Sequence, residues 1–156
     1  MGRKYWVDLT PTAVTLAVDL LEILPADDKP IKIVSLALGQ SSDVGDAQDE
    51  VISVYWLRGN TGVGAGGSAV TPRPCGLSDV AAGFAAKAFN TTPAASGTSV
   101  ILPRHAFNVR GGIERPYTPD EMFETSQANT SLVLRMAAAP ADSLTIFGSV
   151  CVEEFG

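Results

Sequence analysis

Residues 144–155 alternate over their whole length: Leu144, Ile146, Val150 and Val152 fall on one face, and Thr145, Phe147, Ser149, Cys151 and Glu153 on the other. A period of two belongs to a half-buried strand and fits no helix. The signal recurs. Residues 50–58 (EVISVYWLR) set Ile52, Val54 and Trp56 against Val51, Tyr55 and Leu57, with the β-branched and aromatic bias of a strand. Residues 131–136 oppose Leu132, Leu134 and Met136 to Val133 and Arg135. Residues 31–39 (IKIVSLALG) form an apolar run after the turn-rich stretch 25–30, and 98–102 are short and β-branched.

Two stretches read less cleanly. Val14, Leu16, Val18 and Leu20 alternate, and Leu21 and Ile23 then continue in the opposite phase. That slip predicts a β-bulge near Leu20 or two short strands, although Val14, Ala17, Val18, Leu21 and Leu24 also satisfy the helical template. The Ala-rich residues 80–89 also suit a helix, but they lead into Asn90-Thr91-Thr92-Pro93, which favours a hairpin with the next strand. One helix signal stands out: a Thr118 N-cap, Pro119 at the first helical position and Glu121 three residues after the cap predict a short helix over 119–125. Together these features predict an all-β sandwich, a jelly roll by leading topology, with one short helix. The chain reads as a single domain over 1–156, with a short N-terminal arm (1–9) and a long Gly-rich loop (59–76).

Within that loop Gly62, Gly64 and Gly67 satisfy G-x-G-x-x-G. A dinucleotide site needs a helix to open at the last glycine, because its amides hold the pyrophosphate. Here Thr71-Pro72-Arg73-Pro74-Cys75-Gly76 follows, and two prolines preclude that helix. No Lys-Ser/Thr pair follows either, which excludes a P-loop. The glycines therefore predict a flexible excursion and no nucleotide cofactor.

The remaining chemistry is sparse. His105 is the only histidine, so no His-rich metal centre is available, and no G-x-S-x-G elbow supports a serine nucleophile. Residues 43–50 carry Asp43, Asp46, Asp49 and Glu50 without EF-hand spacing, which favours a solvated loop. We therefore expect no catalytic, cofactor-binding or metal-ligating residue and no enzymatic activity. A net charge of −6 without a basic stripe argues against nucleic acid. No apolar run approaches the ~18 residues of a membrane span. Only 18% of residues are charged, which is low for a fully solvated surface and suits one partly covered by other subunits. Cys75, in a Pro-Cys-Gly turn, is expected to be accessible and able to form an intermolecular disulfide, whereas Cys151 lies inside the last strand.

Leu38-Gly39-Gln40-Ser41-Ser42-Asp43-Val44-Gly45-Asp46-Ala47, Gly66-Gly67-Ser68 with Thr71-Pro72-Arg73-Pro74, Phe107-Asn108-Val109-Arg110 and Ala139-Pro140-Ala141-Asp142-Ser143 resemble small structural proteins of tailed-phage and prophage virions. The resemblance implies a capsid decoration (cement) protein. Such a protein would be made in the host cytoplasm and placed on the capsid surface, bridging major capsid subunits, most often as a homotrimer. A head-spike or tail-fibre module for receptor or carbohydrate is the alternative, and a cupin-like small-molecule binder or enzyme is a further one. The contact candidates are Tyr5 and Trp6 on the arm, Arg58 and Arg73 near the ends of the glycine loop, and Cys75.

Overall fold

The computed structural model describes residues 2–42, 49–125 and 130–156. Its strands form two antiparallel sheets. The first runs β10 (Glu124–Thr125), β3 (Ile31–Gln40), β12 (Leu144–Glu154), β1 (Arg3–Val14), β6 (Arg73–Pro74), with β9 (Ile113–Pro116) also paired to β3. The second runs β5 (Ser68–Val70), β7 (Ala85–Asn90), β2 (Asp19–Leu24), β11 (Ser131–Met136), β4 (Val51–Gly62), β8 (Ala95–Asn108). Four antiparallel pairings define the topology: β1 with β12, β2 with β11, β3 with β9, and β4 with β8. That is one long hairpin rolled into two facing sheets, the jelly roll.

The period-two faces meet between the sheets. Tyr5, Val7 and Leu9 of β1, Leu36 of β3, Trp56 of β4, Leu134 of β11 and Val150 of β12 are all buried there. Each such side chain contributes about 1.5–3 kcal/mol when removed from water. The space that a cupin-like binder would use as its chamber is thus occupied by large side chains. The phase slip in 14–24 has both expected causes. β1 ends at Val14 and β2 begins at Asp19, while Leu134 pairs with Leu21 and Arg135 with Asp19, leaving Leu20 as the extra residue of a bulge.

Four expectations are corrected. The capping box at Thr118 forms: Glu121 Oε2 accepts from the Thr118 amide at 3.2 Å and from its hydroxyl at 3.1 Å. No helix follows. Ile33 N donates to Phe123 O, and Glu124–Thr125 join β3 as β10, so sheet pairing captures the backbone after one turn. A first helical turn is costly to nucleate and returns a single hydrogen bond, whereas pairing with β3 offers partners at once.

Residues 3–9 are not an arm. They are part of β1, flanked by β12 and β6.

The glycine region is ordered structure and not a free excursion. β4 continues to Gly62, Ala65 bridges Thr92, β5 joins the second sheet and β6 the first. A Cβ on Gly64 would lie 2.6 Å from Asn90 Nδ2, and one on Gly67 2.3 Å from Ala88 O. These glycines let backbone approach β7 and the buried Glu22, whose carboxylate accepts from Gly64 N at 3.0 Å and Asn90 Nδ2 at 2.6 Å.

Finally, β7 does not pair with β8, since β2, β11 and β4 lie between them. The chain instead passes over the outer face of the second sheet, where Ala94 is buried against Leu57 and Val133. Asp19 and Arg135 clamp this strap. Asp19 accepts from Ala94 N at 2.7 Å and from Arg135, and Arg135 Nη2 donates to Ala94 O at 2.7 Å. The acidic run 43–48 lies outside the described residues. Beside it, Asp49 pairs with Arg110 at 2.8 Å.

Candidate functional site

Alternation along β1 sends Tyr5, Val7 and Leu9 inwards and leaves Lys4, Trp6 and Asp8 exposed. Trp6 sits opposite Cys151 on β12 and Arg73 on β6, with 45% of its surface exposed. The Cys75 amide donates to Lys4 O at 2.8 Å, extending the β6 pairing by one residue. Beyond it, residues 76–83 are pinned from several sides. Tyr5 OH donates to Val80 O at 3.1 Å, and Glu154 Oε2 accepts from the amides of Gly83 at 2.8 Å and Phe84 at 3.0 Å. On this fixed segment Leu77 is fully exposed and Val80 more than half exposed. These apolar side chains are thus presented to solvent from a hydrogen-bonded backbone.

Of the five contact candidates, the fold brings Trp6, Arg73 and Cys75 together. Tyr5 is corrected: it is a core residue with no exposed surface, packed edge-on against Phe84 with ring centres 5.6 Å apart. Arg58 lies elsewhere, donating to Glu124 O at 2.9 Å and so tying β4 to β10. The Cys75 thiol is exposed and its neighbour is Cys151 of the same chain. Burial, together with Cys75, pushes the Cys151 thiol up to about 11.

A second exposed feature occupies the opposite margin. Trp6 lies near the β6 end of the first sheet, and β8 closes the far end of the second. Along β8 the consecutive residues Val100 and Ile101 are each about half exposed, although they point to opposite faces. This part of the strand buries little of itself. Register shifts and Pro103 flank it, which blunts it as a template for strand addition.

Below Ile101 on the same margin, a cleft of about 500 Å³ is lined by Pro103, Arg104, His105, Arg115, Tyr117 and Glu121. Tyr117 is the hub. Its hydroxyl accepts from Trp56 Nε1 at 3.1 Å, and indole N–H can only donate. The same hydroxyl shares a hydrogen bond of 2.7 Å with His105 Nε2, its direction set by the imidazole tautomer. Burial, with Arg115 close by, lowers the pKa of His105, and burial raises that of Tyr117. Both shifts favour the neutral forms. The two arginines are positioned by aromatic faces: Arg104 lies 4.7 Å from the Tyr55 ring centre, and Arg115 5.6 Å from that of Tyr117. Arg115 also donates to Glu121 at 2.9 Å.

Neither the exposure of Leu77, Val100 and Ile101 nor the pairing of His105 with Tyr117 is legible in the sequence. Alternation alone could not flag them. Exposure of an apolar residue depends on what covers each face, and His105 meets Tyr117 only across the two sheets. Among the described residues, no group of three His, Cys, Asp or Glu side chains is placed to hold a metal. No family model, curated protein or solved structure matches the chain.

Proposed function

We propose that this chain is a virion structural protein that decorates a phage head and bridges neighbouring capsid subunits. The observation that carries the reading is the pair of exposed apolar margins: Trp6, Leu77 and Val80 on one side, Val100 and Ile101 on the other. A bridging protein needs two contact surfaces on a rigid body, and apolar side chains held at opposite margins supply them. The jelly-roll fold recurs in capsid domains but also in lectins and cupins, so fold alone favours none of these. The motif resemblance supplies the preference for the virion. Self-association as a homotrimer is part of the proposal and is consistent with the low charged fraction of 18%.

The alternative is a spike or tail-fibre module that binds carbohydrate. It is favoured by a cleft of about 460 Å³ on the outer face of the first sheet, where Asp8, Gln40 and Ser149 lie beside the half-exposed ring of Phe147. An aromatic face next to planar polar groups suits a sugar.

A mass-spectrometric copy count on purified particles separates the readings. High copy number, in multiples of three, supports decoration. A few copies per particle support the spike, and absence from the particle overturns both. On the first reading, Trp6→Ser combined with Leu77→Ser weakens attachment to the shell while the protein stays folded, because neither side chain belongs to the core.

A further inference from the structure

We infer that Cys75 and Cys151 together form a two-thiolate site for a single soft, monovalent metal ion that binds two ligands in line, the class of copper(I) and silver(I). The sheet order puts the two residues on one surface. β1 lies between β6 and β12, Trp6 is opposite Cys151 on one flank and Arg73 on the other, and the Cys75 amide donates to Lys4 O at 2.8 Å. Alternation sends Lys4 and Trp6 outwards, so both thiols belong to the outer face of the first sheet. β6 ends at Pro74 and the chain bends at Cys75, which lets that thiol lean over β1. The two sulfurs act on one another: after burial, Cys75 is the next cause that raises the Cys151 thiol.

A disulfide is the wrong bond for this pair. With β1 between them the two backbones are two strand spacings apart, about 9.5 Å, whereas a disulfide needs Cα atoms within about 7 Å. An ion in the middle closes the gap. Two metal–thiolate bonds of about 2.3 Å in line set the sulfurs about 4.6 Å apart, which spares the strands that approach. Among the described residues no third His, Cys, Asp or Glu joins the thiols, so the donors suit two-coordinate binding and not four-coordinate zinc. Binding releases one proton from each thiol to solvent. A coordinated thiol is deprotonated outright, which overcomes the obstacle that burial sets at Cys151. The complex of a monovalent ion with two thiolates carries one negative charge. Lys4, which already favours the Cys151 thiolate, lies beside it, and Arg73 shares the face.

The test is a titration of the reduced full chain in chloride-free buffer with silver(I), and under argon with copper(I), read by native mass spectrometry and by the ultraviolet absorption of metal-bound thiolate. One ion per chain is expected, and it should survive an excess of a small monothiol, because two thiols on one scaffold act at high effective concentration. Cys75→Ser and Cys151→Ser are each expected to lower retention against the monothiol about a hundredfold or more. Thermal melts report whether the variants are folded, and Cys75, being exposed, is the substitution that leaves the core untouched. The melt of the parent should rise on loading, since the ion binds the folded arrangement and ties residues 75–83 to the first sheet. Equal retention by the parent and a folded variant overturns the inference. So does one ion shared between two chains, the behaviour of Cys75 acting alone, and so does a loaded parent that melts as the free chain does.

Discussion

At the scale of single residues, two titrating groups show how the fold sets reactivity. Cys151 has its thiol pushed up to about 11, whereas Cys75 is exposed. The thiolate is the reactive form, so a maleimide or iodoacetamide reagent at neutral pH is expected to label Cys75 and to spare Cys151 until the chain unfolds. Labelling of both at equal rates would contradict the buried position. His105 is the second case. Its folded pKa lies below 6.5 because burial, and then Arg115, disfavour the cation. The unfolded chain therefore binds more protons in the window below the ordinary histidine value, and stability rises with pH there. The contribution is fully present above the unfolded pKa and is lost as pH falls through the folded one. An NMR titration of the ring carbon, together with urea melts across the window, reads both; replacing His105 with Gln should flatten the slope.

At the scale of elements, the second sheet depends on a clamp. Asp19 is fully buried, and its carboxylate meets both Arg135 and the Ala94 amide of the strap. The pair also raises the pKa of Arg135, first through that hydrogen bond. Asp19→Asn leaves a largely buried guanidinium without its counter-charge, and we expect a loss of about 3 kcal/mol in urea denaturation. Replacing both partners by apolar residues of similar volume should recover only part of that loss, since no unpaired charge remains but the buried Ala94 amide and carbonyl lose their partners. The strands themselves were legible in the sequence wherever one face is buried: residues 144–155, 131–136 and 50–58 alternate and are strands. The strap was not. Asn90-Thr91-Thr92-Pro93 has turn chemistry, and turn chemistry says that the chain reverses without saying which strand receives it. The same limit explains the Thr118 turn, where a correct cap was overruled by pairing of Glu124 and Thr125 with β3. Of the contact surface, Trp6, Arg73 and Cys75 converge because β6 pairs with β1, a contact between residues nearly seventy positions apart that no local pattern encodes.

At the scale of the whole molecule, the order of the first sheet has a kinetic consequence. β12 lies between β3 and β1, with Arg3 opposite Glu154 and Ile31 opposite that same Glu154. The strand latest in chain order among these is thus the one that joins two early ones, and until it arrives β1 and β3 have no shared neighbour. Most stabilising contacts then require closure of very long loops before any reward, the regime of high contact order. Refolding from urea is expected on a millisecond-to-second scale, slower than for helical chains of similar size. A variant ending before Leu144 should fail to fold, where a chain built from local units would lose only its last piece. On a ribosome this makes β1 and β3 wait, unjoined, until residues 144–154 have been synthesised. Conditions that slow translation should therefore lower the soluble yield, and a holding chaperone should restore it.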